Sequence, residues 1–222
     1  MTDLAIYDMD RTITRRATYT PFLIHCAMAR APWRLALAPA VAGSMAAFAG
    51  GIIGRGRLKE VNHQLLLGYA RSDDEMKPLV EEFAERTVRE NLHPGAIRAI
   101  ARDRAEGRRL VMATASYALY VEAIAERLGF DDVIATRSAR GSDGRLLARI
   151  QGDNCYGAAK LAMIREWMAE EQVKRGHVRF YSDHHSDALA FEWADEPVAV
   201  NATRKLTKLA RQRGWRIENW SA

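Results

Sequence analysis

Leu4-Ala5-Ile6-Tyr7-Asp8-Met9-Asp10-Arg11-Thr12 is the stretch on which the reading of this chain turns. Its apolar run stops at Asp8. That predicts a buried strand whose C-terminal end presents polar groups. Two carboxylates two residues apart at such an end can share one mouth of a sheet, where open α/β folds bind their ligands. If their environments differ, one can act as a nucleophile while the other moves a proton. A short Asp-x-Asp run also suits a plain polar turn, and taken alone the pattern favours that reading.

Downstream, the pattern changes twice. Residues 21–92 contain no convincing strand and are rich in Ala, Leu, Arg and Glu. Residues 60–69 and 76–90 suit helices, with Ser72-Asp73-Asp74-Glu75 as a start signal for the second. From Arg109 onward strand and helix alternate. Strands are expected at 109–113, 178–181 and 198–200, a hairpin at 133–135 and 146–150, and helices at 96–105, 117–128, 157–171, 186–193 and 204–213. Alternation of this kind implies crossover units on a mostly parallel sheet. The fold class expected is therefore α/β: a three-layer, Rossmann-like core from residues 1–14 and 94–222, with an all-helical cap, 15–93, inserted in it.

Composition narrows the field. The chain has 222 residues with 33 basic and 28 acidic side chains, a net charge of +5. That length buries a core without staples. Two cysteines, Cys26 and Cys155, exclude a disulfide scaffold and a four-cysteine zinc site. The opening Met1-Thr2-Asp3 lacks a basic stretch and the apolar run after it is too short for a signal core, so the expected address is cytoplasmic. A basic chain suits nucleic acid, an anionic membrane surface or a phosphorylated substrate, and charge alone does not choose.

Three further features favour chemistry over a plain turn at Asp8. Thr114 ends a strand at the head of a helix, a place that can hold an anion. Lys160 stands in the first turn of a later helix, where it can neutralise a phosphate. Asp183 and Asp187, in Ser-Asp-His-His-Ser-Asp, follow a third strand and add hard oxygen ligands suited to Mg²⁺.

The order Asp8-x-Asp10-x-Thr12, Thr114, Lys160 and Asp183-x-x-x-Asp187 resembles the haloacid dehalogenase superfamily of phosphohydrolases. The resemblance covers the chain outside the helical insert. It implies Asp8 as nucleophile, forming an aspartyl-phosphate, and Asp10 as the acid and base. It implies Mg²⁺ held by Asp8, the Asp10 carbonyl and Asp183, with Asp187 in support. Thr12, Thr114 and Lys160 would grip the phosphoryl group. Such transfer needs positioning and charge neutralisation above all. Glycine is common in the family where this chain has Arg11.

A helical cap between the first two motifs looks like the group that contains phosphoserine phosphatase. The 181–215 region looks still more like a bacterial subgroup that includes a phosphatidylglycerophosphate phosphatase. Phosphoserine phosphatases carry a glutamate nine residues after the nucleophile, whereas this chain has Ala17 beside Arg15 and Arg16. An entrance made of Arg11, Arg15 and Arg16 disfavours an ammonium group and suits a substrate with a second phosphate.

Residues 35–53 carry no charge and are flanked by Arg30, Arg34, Arg55, Arg57 and Lys59. Nineteen residues approach the roughly 20 that span hydrocarbon. One crossing would nevertheless separate Asp8 from Thr114, Lys160 and Asp183. The segment is thus either a buried cap helix or a surface, within 30–59, that dips into an anionic membrane interface; the flanking arginines favour the second. The expected activity is Mg²⁺-dependent hydrolysis of a lipid phosphate such as phosphatidylglycerophosphate. The alternative is a soluble small-molecule phosphatase. A non-enzymatic module binding nucleic acid or an anionic surface ranks last, and no nucleic-acid partner is expected. His184 and His185 are poor candidates for ligands of Mg²⁺, which prefers oxygen; His25 and Cys26 read as cap core, Cys155 as accessible but unreactive, and Trp33 as an interfacial anchor.

Overall fold

A computed structural model describes residues 1–221. Its sheet has eight strands in the order β2-β5-β4-β3-β1-β6-β7-β8. Strand β1 (Thr2–Tyr7) lies at the centre between β3 (Arg109–Tyr117) and β6 (Arg175–Ser182), parallel to both. Parallel pairing continues outward from β3 to β4 (Asp132–Arg140) and from β6 through β7 (Glu196–Val200) to β8 (Arg216–Glu218). Two short strands, β2 (Ala70–Arg71) and β5 (Leu146–Gln151), are antiparallel at the β4 edge.

Alternation along β1 builds the layers. Leu4 and Ile6 face one way, toward α7 (Ala158–Glu170), α8 (Ala188–Trp193) and α9 (Arg204–Arg213). Ala5 and Tyr7 face the other way, toward α5 (Pro94–Ala105) and α6 (Ala118–Leu128). A strand covered on both faces reads as a continuous apolar run, which is why residues 4–7 are legible as a central strand. Gly129, at φ +72°, closes α6 in the left-handed conformation a Cβ would oppose.

Close packing fixes the C-terminal end. A Cβ on Gly95 would stand 2.6 Å from both Cβ and Cγ of Trp220, whose ring lies 5.3 Å from that of Tyr181. Gly95→Ala is therefore expected to cost about 1–3 kcal/mol by overpacking. Chemical denaturation would show this as a lower midpoint with an unchanged slope.

Between β1 and α5 run four helices: α1 (Tyr19–Arg30), α2 (Ala38–Ala49), α3 (Arg55–Leu66) and α4 (Asp73–Glu90). Ser72 caps α4 reciprocally: its hydroxyl accepts from Glu75 N while its own N–H donates to the Glu75 carboxylate. The chain enters and leaves this block by two segments lying side by side. Thr14 bridges Leu92, and Asn91 binds both the N–H and the carbonyl of Arg16.

Several expectations need correction. The helix placed at 60–69 starts earlier, at Arg55 after Gly54, and β3 runs past Thr114 to Tyr117. The supposedly strand-free block contributes β2, and β8 has no counterpart in the sequence reading. Residues 35–53 are not one helix. A tight turn ends at Leu37, α2 spans twelve residues, and the chain turns again at Gly50 and Gly51. Among the described residues no helix is long and apolar enough to cross a membrane. Nor is α2 a buried cap helix, because Ser44 is its one buried residue.

Candidate active site

The register of three parallel strands assembles the site. Tyr7 stands level with Met112 on one side and Tyr181 on the other, so Asp8, Thr114 and Asp183 emerge at one mouth. The Asp8 N–H donates to Tyr181 O, locking the first residue past β1. Residues 9–13 then make one wide helical turn, in which Arg11 adopts φ +65°. Glycine takes that conformation without steric cost, whereas an arginine here carries some backbone strain.

A cavity of about 280 Å³ opens at this mouth, lined by Asp8, Asp10, Arg11, Thr114, Lys160, Asp183 and Asp187. The Lys160 ammonium, 2% exposed, donates to Asp8 Oδ1 at 2.9 Å and Asp187 Oδ2 at 2.7 Å. Ser182 Oγ also donates to Asp187 Oδ2. Thr12, expected to grip the phosphoryl group, instead lies wholly buried behind Asp8 and off the cavity lining, its hydroxyl 3.3 Å from Asp8 Oδ2. Asp10 is held separately. Its Oδ1 accepts from the N–H and hydroxyl of Thr18, and its Oδ2 from the Ser116 hydroxyl at 2.7 Å. Two carboxylates two residues apart thus occupy different environments, one against an ammonium and one against neutral donors.

The electrostatics are lopsided. Asp8, Asp183 and Asp187 face one another with one ammonium, Lys160, in contact. Burial raises the Asp8 carboxyl to about 6; Lys160 opposes the shift and Asp187 reinforces it. Burial, then Asp8 and Asp187, raises Asp183 to about 7. Burial works against the charge on Lys160, yet Asp187 and Asp8 outweigh it and hold the ammonium above its ordinary range. Asp187 Oδ1 is buried with no partner among the described residues. Excess negative charge and an unused carboxylate oxygen are what a hard divalent cation would relieve. Among the described residues no three His, Cys, Asp or Glu side chains form a ready cage. A cation here would therefore rest on fewer side chains, completed by a main-chain carbonyl and water.

Arg15 and Arg16 do not line this cavity, which corrects the entrance expected from sequence. Asn91 ties the Arg16 backbone to the far connection, and both arginines border a second hollow beside α4. Arg11 alone of the three lines the cavity at Asp8. His184 lines it too, but its Nδ1 accepts from Ser186 N–H, and burial, then His185, lowers its affinity for a proton. Cys155 is wholly buried, not accessible, and burial pushes its thiol up to about 12.

Some neighbours escaped the sequence. Lys59 reaches across from α3, 8% exposed, and donates to Asn154 Oδ1 at 2.7 Å and to the carbonyl of Ala115. Burial lowers its ammonium to about 8, against the pull of Asp10. The Thr136 hydroxyl binds the same carbonyl. Nothing local marks Lys59, because its partners lie 56 and 95 residues away. The one available hint for Ser116 is its place two residues after Thr114.

Residues 5–192 match the haloacid dehalogenase-like hydrolases. The chain belongs to that family. Among haloacid dehalogenase-like relatives, the histidinol-phosphatase of Neisseria meningitidis serogroup C is 25% identical over 152 residues, covering 67% of this chain and 68% of that protein. The phosphoserine phosphatase SerB1 of Mycobacterium tuberculosis is 27% identical over 150 residues, 68% of this chain and 48% of its own. The chain spans about half the length of several curated relatives it matches. A crystal structure of a protein of unknown function from Bordetella pertussis Tohama I superposes with a TM-score of 0.88 at 24% identity, covering 98% of each chain, and so shares the fold.

Proposed function

We propose that this chain is a Mg²⁺-dependent phosphomonoesterase working through an aspartyl-phosphate on Asp8. The observation that carries the reading is the buried Asp8–Lys160–Asp187 contact with the separately held Asp10 two residues on. Lys160 keeps the Asp8 carboxylate oriented toward the cavity. An Asp8 oxygen attacks phosphorus, forming an O–P bond as the ester P–O bond breaks, and Asp10 gives the leaving oxygen its proton. In the second step Asp10 takes a proton from water, whose oxygen attacks phosphorus and releases Asp8. Thr114 and Lys160 grip the phosphoryl oxygens, and Thr12 supports Asp8 from behind. Asp8, Asp183 and the Asp10 carbonyl would hold Mg²⁺, with Asp187 behind them. When bound, the cation supplies the charge neutralisation that phosphoryl transfer demands. Residues 15–93 act as a cap, with Arg55 in the cavity wall 4.2 Å above the Tyr156 ring.

Relatives named phosphoserine phosphatase and histidinol-phosphatase favour a soluble phosphate monoester as substrate. A lipid phosphate is the second reading, and one observation favours it. Helix α2 is uncharged and mostly exposed, and Met28, Trp33, Met45 and Ile52 near or on it are exposed as well. Residues 11–59 hold no acidic side chain. An apolar surface in a basic setting suits an anionic interface.

The test is phosphate release with Mg²⁺ from phosphoserine, histidinol phosphate and phosphatidylglycerophosphate in mixed micelles. Release from a soluble ester supports the first reading, and release confined to the micelles supports the second. Absence of Mg²⁺-dependent release from a broad panel of monoesters overturns both.

Cation binding also has a signature in stability. The raised carboxyls of Asp8 and Asp183 bind protons more readily folded than unfolded. The metal-free protein therefore loses stability as pH rises from about 4 through about 7. Mg²⁺ binds the ionised site, so its stabilisation grows across that window. At about 100 times its Kd the gain is about 2.7 kcal/mol, or roughly 5–10 °C in Tm. Thermal melts with and without Mg²⁺ should show a larger shift at pH 8 than at pH 5; equal shifts would contradict the assignment.

A further inference from the structure

The hollow that receives Arg15 and Arg16 is a site in its own right. It encloses about 350 Å³ between the 15–18 connection and α4, and Arg86 of α4 completes a set of three guanidinium groups around it. None of the three pairs with a carboxylate among the described residues. Glu90 shares the rim, but Arg89 holds it at 2.8 Å. Pro21 and Phe83 make an apolar floor, with the Arg86 guanidinium 5.6 Å from the Phe83 ring centroid. Stacking of this kind orients a planar guanidinium while leaving its N–H edge free.

Arginines beside the sheet show what carboxylate pairing looks like here: Arg179 reaches Glu106, Glu196 and Asp103, and Arg109 grips Asp132 with two bonds. What sets this hollow apart is that three such arginines converge on one concave surface, where their charges add, and guanidinium forks match phosphate and carboxylate oxygens. Ala17 lines both this hollow and the catalytic cavity. Ala17 is exposed and carries only a methyl group, so it stands on the shared rim of the two. Thr18, also at the hollow, holds Asp10 through two bonds.

We infer that the Arg15–Arg16–Arg86 hollow is an anion-binding subsite. It takes the distal phosphate or carboxylate of a substrate whose reacting phosphomonoester sits at Asp8. The inference rests on the phosphomonoesterase reading for the position of the reacting end. It names the substrate class: a phosphomonoester carrying a second anionic group several bonds away, joined by a carbon chain that crosses Ala17 and packs on Pro21 and Phe83.

The probes are alkanediol monophosphates of three to eight carbons and the matching bisphosphates, titrated by calorimetry against the Asp8→Asn protein with Mg²⁺, so that binding is read without turnover. At least one bisphosphate is expected to bind ten times more tightly than its monophosphate. Arg86→Gln combined with Arg15→Gln and Arg16→Gln is expected to bring that ratio near one. The same ratio should appear in KM when the two esters are compared as substrates of the chain with Asp8 intact. A third arm adds inorganic sulfate to the monophosphate titration. Tightening by sulfate that the arginine substitutions abolish upholds the subsite and makes its occupant a free anion. If no bisphosphate and no sulfate changes affinity, or if the preference survives all three substitutions, the inference is wrong. Preference in calorimetry, joined to absence of release from the whole monoester panel, would uphold the subsite while overturning the phosphatase reading.

Discussion

Asp8→Asn is expected to lower phosphate release by about four orders of magnitude or more, the scale seen when a covalent nucleophile is removed. An amide oxygen neither attacks phosphorus at a useful rate nor leaves from it. The substitution preserves shape, so the loss is expected in kcat with the fold intact. Stability gives the prediction a second edge. Burial and the neighbouring Asp187 disfavour the charged form of Asp8, despite Lys160. A neutral isostere is therefore expected to leave Tm of the metal-free protein unchanged or higher at pH 8, while reducing its response to Mg²⁺. Phosphate release and melts on the same preparation check both. Residual turnover above about 1% would remove Asp8 from the role of nucleophile, since no intact machinery of this kind tolerates its loss so well.

Lys160→Met should produce the largest loss of stability. The ammonium is the group that faces both Asp8 and Asp187, and its removal leaves buried carboxylates uncompensated. Breaking a buried pair in this way costs about 3–5 kcal/mol, or roughly 6–20 °C in a chain of this length. The direction with pH follows from the charges. The penalty applies to ionised carboxylates, so it is full at pH 8 and shrinks as pH falls through the raised carboxyl values near 7 and 6. Melts of the variant and the parent at pH 5 and pH 8 measure this difference. A small, pH-independent loss would mean that Lys160 does not compensate those carboxylates. On the proposed mechanism activity should fall as well, because Lys160 would no longer grip the phosphoryl group.

These two residues show how far one dimension reaches. Asp8 is legible because a strand buried on both faces is an unbroken apolar run, and the run stops at it. Lys160 is legible by its place in the first turn of a helix. Its partners are not, since Asp187 lies 27 residues away and Asp8 lies 152 away. The Tyr7 register with Met112 and Tyr181 closes those gaps, and register is a property of pairing between strands. Arg15 and Arg16 show the opposite case. Their closeness in sequence to Asp10 suggested one entrance, but loop side chains point where the backbone's cross-chain bonds turn them. Here the binding residue is Asn91, 75 positions from Arg16. The uncharged stretch 35–53 left a buried helix and an exposed surface both open for a related reason. Hydropathy reports how apolar a segment is, not whether anything packs upon it, and α2 is apolar and exposed together.

The sequence by itself determined the α/β alternation, the largely helical block between β1 and β3, and the polar residues that follow β1 and β6. All three follow from burial periods and caps that each segment carries within itself. Tertiary structure alone decided that Lys59 crosses from the helical block to the Ala115 carbonyl, that Asp10 rests on Thr18 and Ser116, and that three arginines from two segments share one hollow. Contacts of that kind depend on where the chain returns in space, and no local pattern of residues records it.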